Sequence, residues 1–230
     1  MLLLSLSSLP LSSLASTFIW CIPSHHNGAF VRLRSKYPRT SNIPLINSNL
    51  VRLFLQNVFS GVTSIPDVYP GDPLTLDLFV DKAIHVSHVD LLRQGGNYEE
   101  KTTSWISSET KKKYLTSTYE YILSARSSHS KKQLVVMVES IPKSTEADIK
   151  LEILSPQNTI ITEWFDDERY IGEVVDKELS SILKSNTDTI MYSKNTGTIF
   201  FMKWIEPNDE YKISLKYKIS WPYDKKIQIY

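Results

Sequence analysis

Apolar and polar residues alternate along "DEYKISLKYKISW" near the C-terminus. Tyr211, Ile213, Leu215, Tyr217, Ile219 and Trp221 fall on one side, and Lys212, Ser214, Lys216, Lys218 and Ser220 on the other. A period of two is that of a strand with one face buried. This predicts buried Ile213, Leu215, Tyr217 and Ile219, with the lysines facing water or cross-strand acids. The stretch 148–154 alternates in the same way, with Ile149, Leu151 and Ile153 against Asp148, Lys150 and Glu152. Residues 199–205 (IFFMKWI) are apolar on both sides, which predicts a central strand with both faces covered. Glu206-Pro207-Asn208-Asp209 then reads as a hairpin loop into 210–221.

Further strands are predicted at 29–34, 50–56, 74–80, 84–92, 99–107, 112–126, 132–140, 188–193 and 197–205. Val, Ile, Thr and aromatic residues concentrate there. Turn chemistry separates them: Pro70-Gly71-Asp72-Pro73, Gly95-Gly96-Asn97, Ser155-Pro156 and Asn195-Thr196-Gly197. One segment departs from the period of two. In "DDERYIGEVVDKELSSILK" the residues Ile171, Val174, Val175, Leu179, Ile182 and Leu183 recur at helical spacing. Asp166, Asp167 and Glu168 suit a helix N-terminus and Lys184 a C-terminus, so the spacing predicts a helix over 167–184. The fold class expected is all-β, an antiparallel β-sandwich with one short helical insertion at about 157–192.

With 230 residues, 41% of them hydrophobic, the chain can bury a substantial core. Lys+Arg number 26 and Asp+Glu 25, and this balance argues against a nucleic-acid partner. Cys21 is the single cysteine, so no intrachain disulfide forms. No Asn-x-Ser/Thr acceptor occurs, and both features fit a reducing compartment. The opening "MLLLSLSSLPLSSLASTFIW" is Leu/Ser-rich and uncharged. It lacks the basic start of a secretory signal, and Pro10 and its serines do not suit a membrane-spanning helix. Residues 1–20 read as a disordered leader or a weak signal, ahead of one β-rich domain over 21–230. The expected location is cytoplasmic, or secreted if 1–20 acts as a signal.

The order of elements adds a family resemblance. "NLVRLFLQNVFSGVTSIPDVYPGDPLTLDLFVDKAIHV" follows "SNIPL"; then come "QLVVMVESIPKSTEADIKLEILSP" and "NTGTIFFMKWIEPNDEYKISLKYKISWPYDKKI". Over roughly 28–227 this resembles the C-terminal domain of unknown function of mucoidy-inhibitor-A-like proteins. The shared features are a Pro-Gly-acid turn, a strand-Pro-x-Ser-strand hairpin and a final hairpin ending in an aromatic-Pro pair. Glu139 stands where that family usually carries Asp, and 157–192 is longer than the family's connection. The family's N-terminal and coiled-coil regions have no counterpart here, so the chain reads as a detached C-terminal part. The resemblance implies architecture and no chemistry.

Candidate chemistry is sparse. His85 and His88 are three apart, which on a strand sends them to opposite faces and away from one metal ion. His25 and His26 lie in a turn-like "PSHHNG" without nearby acids. Asp166, Asp167 and Glu168 are adjacent, whereas glycoside hydrolysis opposes two carboxyls across a sugar. Cys21 would need a positioned base to act as a nucleophile. No nucleophile elbow, phosphate loop or dinucleotide fingerprint occurs. Lys111-Lys112-Lys113 and Lys225-Lys226 read as solvated faces, and Tyr211, Tyr217 and Trp221 as core rather than a stacking platform. No catalytic, cofactor or metal residue is assigned. The function expected is a non-enzymatic structural or protein-interaction β domain with a protein partner, self-association included, and without stable membrane insertion. The alternative is an envelope- or carbohydrate-associated binding domain with weak hydrolase activity.

Overall fold

The computed structural model describes residues 3–5, 16–40, 43–55, 58–105, 108–143, 146, 148–162 and 188–225. Among these the chain is all-β, with fourteen strands and no helix. In chain order they are β1 (Leu3–Ser5), β2 (Ser16–Cys21), β3 (Ala29–Lys36), β4 (Ser48–Leu55), β5 (Val58–Ile65), β6 (Pro73–Asp81) and β7 (Ile84–Trp105). There follow β8 (Ser108–Ser127), β9 (Gln133–Ser140), β10 (Lys150–Ser155), β11 (Ile160–Thr162), β12 (Thr189–Ser193), β13 (Thr198–Ile205) and β14 (Glu210–Pro222). The helix expected over 167–184 lies outside the described residues.

Three sheets form: β1-β4-β5, β10-β14-β8-β7 and β11-β12-β13-β9-β2-β3-β6. Most pairs are antiparallel, but β1/β4, β2/β9 and β11/β12 are parallel, so the sheets are mixed rather than purely antiparallel. The chain changes sheet repeatedly. β13 and β14 are not a hairpin, as the loop 206–209 had suggested: β13 pairs with β12 and β9, and β14 with β10 and β8. The expected Pro-x-Ser hairpin divides likewise, with β9 in the seven-stranded sheet and β10 in the four-stranded one. Loop length alone cannot tell a hairpin from a sheet change.

One apolar cluster joins the sheets. It takes Ile19, Val31, Leu76, Val135 and Phe201 from the seven-stranded sheet, Val86, Leu123, Leu215 and Tyr217 from the four-stranded sheet, and Val51, Leu53 and Ile65 from the three-stranded one. The alternation of β14 is realised here: Tyr211, Ile213, Leu215, Tyr217 and Ile219 are buried. Lys212 is exposed, while Lys216 and Lys218 are half-covered and face Glu120 at 3.0 Å and Glu152 at 3.7 Å. These cross-strand pairs follow from the register Lys216↔Glu120 and Lys218↔Glu152. β13 is covered on both faces, as its composition predicts.

The expected leader does not hold at its C-terminal end. Ser16–Cys21 is a strand seated between β9 and β3, with Phe18, Ile19, Trp20 and Cys21 all buried. A strand covered on both faces shows no alternation, so "TFIWC" carries no period-two signal. Gly95-Gly96-Asn97 is likewise no turn. β7 continues through it with an irregularity between Gly95 and Asn97, and a second between Asp90 and Leu92. Glycine inside a long strand marks a bulge rather than an end. Beyond Tyr114, the last partner of β14, the β7–β8 pairing continues to Trp105↔Ser108 as a two-stranded ribbon.

Candidate functional site

Two places on the molecule hold side chains whose positions packing alone does not explain. The first is the β4–β5 hairpin with its flanking loops. Val51, Leu53 and Ile65 turn inward, so the strand alternation turns Leu50, Arg52 and Val62 outward. The loops are held by backbone pairing of Leu45 with Val68 in both directions at 2.9 Å and by Tyr37 Oη donating to the Ile43 carbonyl at 2.9 Å. Asn47 N–H also donates to Asp67 Oδ1 at 2.7 Å. So fixed, the hairpin and loops expose Ile43 (73%), Ile46 (69%), Leu50 (55%), Phe59 (56%), Val62 (52%) and Tyr69 (60%). These are six of the twelve large apolar side chains exposed among the described residues, gathered into positions 43–69. Scattered exposed apolar residues need no explanation, whereas a concentration of them marks an interaction surface.

The second place is a polar group inside the fold. Glu139 is the last inward position of β9 and is 5% exposed. Its Oε1 accepts from Ser140 N–H at 3.1 Å, and its Oε2 has no hydrogen-bond partner. His88 of β7 approaches from the other sheet, Nε2 lying 3.9 Å from that oxygen, while Nδ1 lies 3.6 Å from Asp90. Three tyrosines continue the row: the His88 ring is 5.0 Å from Tyr121, Tyr121 6.0 Å from Tyr217, and Tyr217 5.1 Å from Tyr119 and nearly parallel to it. Burial, above all, pushes the Tyr217 hydroxyl well above the usual tyrosine range; its hydrogen bond to Tyr121 and the charge of Glu139 push the same way. The sequence names Glu139 and His88 separately, and nothing in it signals that two sheets bring them together.

A third pair, Asp81 and His129, closes a corner. Asp81 is buried; its Oδ1 accepts from Ala83 N–H at 2.9 Å, and its Oδ2 meets His129 Nε2 at 2.6 Å. Cys21 is completely buried, and burial followed by the charge of Asp81 pushes its thiol up to about 12. A thiol held protonated is no nucleophile at neutral pH.

The other residues singled out in the sequence are dispersed. His85 is exposed and His88 half-buried, on opposite faces of β7. His26 Nδ1 accepts from Gly28 N–H at 2.7 Å and His25 is exposed, so that turn is self-contained. Lys225 contacts Glu146 and Asp148. Asp166, Asp167 and Glu168 lie outside the described residues. Among the described residues no group of three or more His, Cys, Asp or Glu is placed to hold a metal ion. No helix among them is long and apolar enough to cross a membrane.

Comparison with known protein families, with curated proteins and with solved structures finds no match to the chain.

Proposed function

We propose that this chain is a non-enzymatic β-sandwich module that binds a protein partner through the β4–β5 hairpin and its flanking loops. The observation that carries this reading is the concentration of Ile43, Ile46, Leu50, Phe59, Val62 and Tyr69 at the surface. Branched aliphatic and aromatic side chains exposed on a hairpin and its flanking loops fit a partner surface of the same apolar kind, with exposed Arg52 and Asp67 supplying polar contacts. Site-specific photo-crosslinking in the native cell tests it. A crosslinker at position 59 or 62 should give a discrete adduct that is absent when the crosslinker replaces exposed Lys212. Identical adduct patterns at all three positions would overturn the proposal, and an adduct of twice the chain mass would identify the partner as a second copy.

A second reading, carbohydrate binding, draws on one depression of about 310 Å³ lined by Lys113, Asp148, Pro222, Tyr223, Asp224 and Lys225. Exposed Tyr223 beside two acids can stack on and hydrogen-bond a sugar ring. It offers one aromatic where the hairpin offers a whole surface, which places it second. Loss of glycan-array binding in Tyr223→Ala would be the result in its favour.

A further inference from the structure

A sheet edge with unpaired backbone N–H and C=O groups is a template for another strand, and proteins guard such edges with charge, proline, short strands or a covering element. The edges of this fold are guarded in those ways. β7 exposes Asp90 and Arg93, and β10 exposes Lys150 and Glu152. β11 is only three residues long. β6 begins at Pro73 and has β5 against it: a Cβ on Gly61 would stand 3.6 Å from the Leu78 carbonyl oxygen. β4 differs. Its eight residues, SNLVRLFL, include one charge, Arg52, and no proline.

What closes the β4 edge is β1. The pairing is parallel, with Leu3↔Arg52, Leu4↔Leu53 and Ser5↔Phe54, so β1 covers three of the eight residues. Among the described residues no strand lies beside Ser48–Val51 on that side. The edge therefore takes an uncharged extended segment by backbone pairing, and has room for a longer one. Three residues form few hydrogen bonds for the chain ordering they require, so a longer segment displaces them. Both faces of β4 are apolar where that segment would lie. Val51 and Leu53 turn into the core, and Leu50 joins Phe59 and Val62 of β5 on the exposed side. A strand added at this edge continues both faces, so its alternate side chains meet the core margin and the exposed apolar surface in turn.

We propose that the β4 edge accepts a strand from the partner: an extended, uncharged, leucine- or isoleucine-rich segment adds in parallel along Ser48–Leu55 and displaces β1, the chain's own occupant. This rests on the reading of the β4–β5 hairpin as the partner-binding surface, and it makes the partner's contribution a peptide strand rather than the face of a folded domain. Main-chain hydrogen bonds supply affinity and alternate side chains specificity. β1 is then an autoinhibitory contact.

Fluorescence anisotropy of a labelled peptide, Leu-Leu-Leu-Ser-Leu-Ser-Ser, the sequence of residues 2–8, tests the proposal on two forms of the chain. One is the unaltered chain and the other the double variant Leu3→Pro with Leu4→Pro. Successive strand residues aim their N–H groups to opposite sides, so the two prolines remove whichever one faces β4. The double variant should bind the peptide at least about threefold more tightly, the factor being set by the fraction of chains in which β1 closes the edge. If that variant does not fold, deletion of residues 1–5 takes its place. The same peptide N-methylated at its second and third leucines keeps its side chains and should not bind. Equal affinity of the two forms, or equal binding of the N-methylated peptide, would overturn the proposal. The adduct from a crosslinker at position 59 in the native cell separates the proposal from the reading beneath it. It should strengthen in the double variant. Unchanged strength would overturn strand addition and leave the hairpin surface standing, whereas absence of any adduct in both forms would overturn both.

Discussion

Gly197→Ala should be among the costlier single substitutions outside the core, and the structure sets the size of the effect. Gly197 closes the β12–β13 turn with φ of 74°, its N–H donating to the Ser193 carbonyl at 2.9 Å. An L-residue in that region costs about 1–2 kcal/mol. A Cβ here would also lie 2.4 Å from the Ile141 carbonyl oxygen, so backbone must withdraw by about 0.6 Å to reach 3.0 Å. That movement disturbs the hydrogen bond from Ile141 N–H to the Gly197 carbonyl and the seat of buried Ile141 in the core. Losing such a bond costs about 0.5–1.5 kcal/mol and overpacking about 1–3. The sum is roughly 2.5–6.5 kcal/mol. Gly71→Ala is the control. Gly71 has φ of 97° in a Tyr69-Pro70-Gly71-Asp72 turn, but its Cβ would meet only the Arg39 side chain, at 3.2 Å. A long side chain moves aside, which leaves about 1–2 kcal/mol of conformational cost. The entropy that alanine removes from the unfolded chain is common to both and cancels. Urea denaturation of the two variants should therefore separate them by at least ~1.5 kcal/mol with unchanged m-values. Agreement within ~0.5 kcal/mol would refute the steric argument and reduce both glycines to their dihedral angles.

Leu215→Ala, at a position with no solvent exposure, should cost about 2–5 kcal/mol, and Lys212→Ala on the exposed side less than about 0.5, by the same assay. Glu139→Gln should leave stability at pH 7 unchanged or raise it by ~1 kcal/mol, because it removes a buried charge with one unpartnered oxygen; a loss above ~1 kcal/mol would show that His88 is a true partner. Burial raises Tyr192, Tyr211 and Tyr217 above the usual tyrosine value, and Cys21 to about 12. The folded state therefore keeps protons that the unfolded chain releases, so the stability these groups contribute is fully present below about pH 9 and falls as pH rises past 9 for the thiol and 10 for the phenols. Melting temperatures from pH 8 to 11, with phenolate absorbance followed in parallel, should show ionisation of these tyrosines only together with unfolding. Val62→Asp should leave the melting temperature within error, since Val62 is half-exposed, while abolishing the adduct formed from position 59.

Much of the strand content was legible in the chain itself. The alternation of β14 and β10, the doubly covered run of β13 and the Pro-Gly turn before β6 each state a local rule that the fold obeys. A period of two reports a strand with one wet face, and it is silent where both faces are dry. For that reason β2, an interior strand of its sheet, reads as leader in the sequence, and β5, broken by Gly61 and serines, passes for a loop. Pairing is a matter of distant contacts. Whether a four-residue loop returns a strand to its neighbour or sends it to another sheet depends on which edge is free when it arrives, and 206–209 carries no mark of that choice. The candidate sites divide along the same line. That His85 and His88 take opposite faces of β7 follows from their spacing on a strand. The meeting of Glu139 with His88, and the concentration of apolar side chains over 43–69, arise only when the sheets pack. Burial is decided by what lies across the fold, and a residue's own neighbours in the chain do not contain that information.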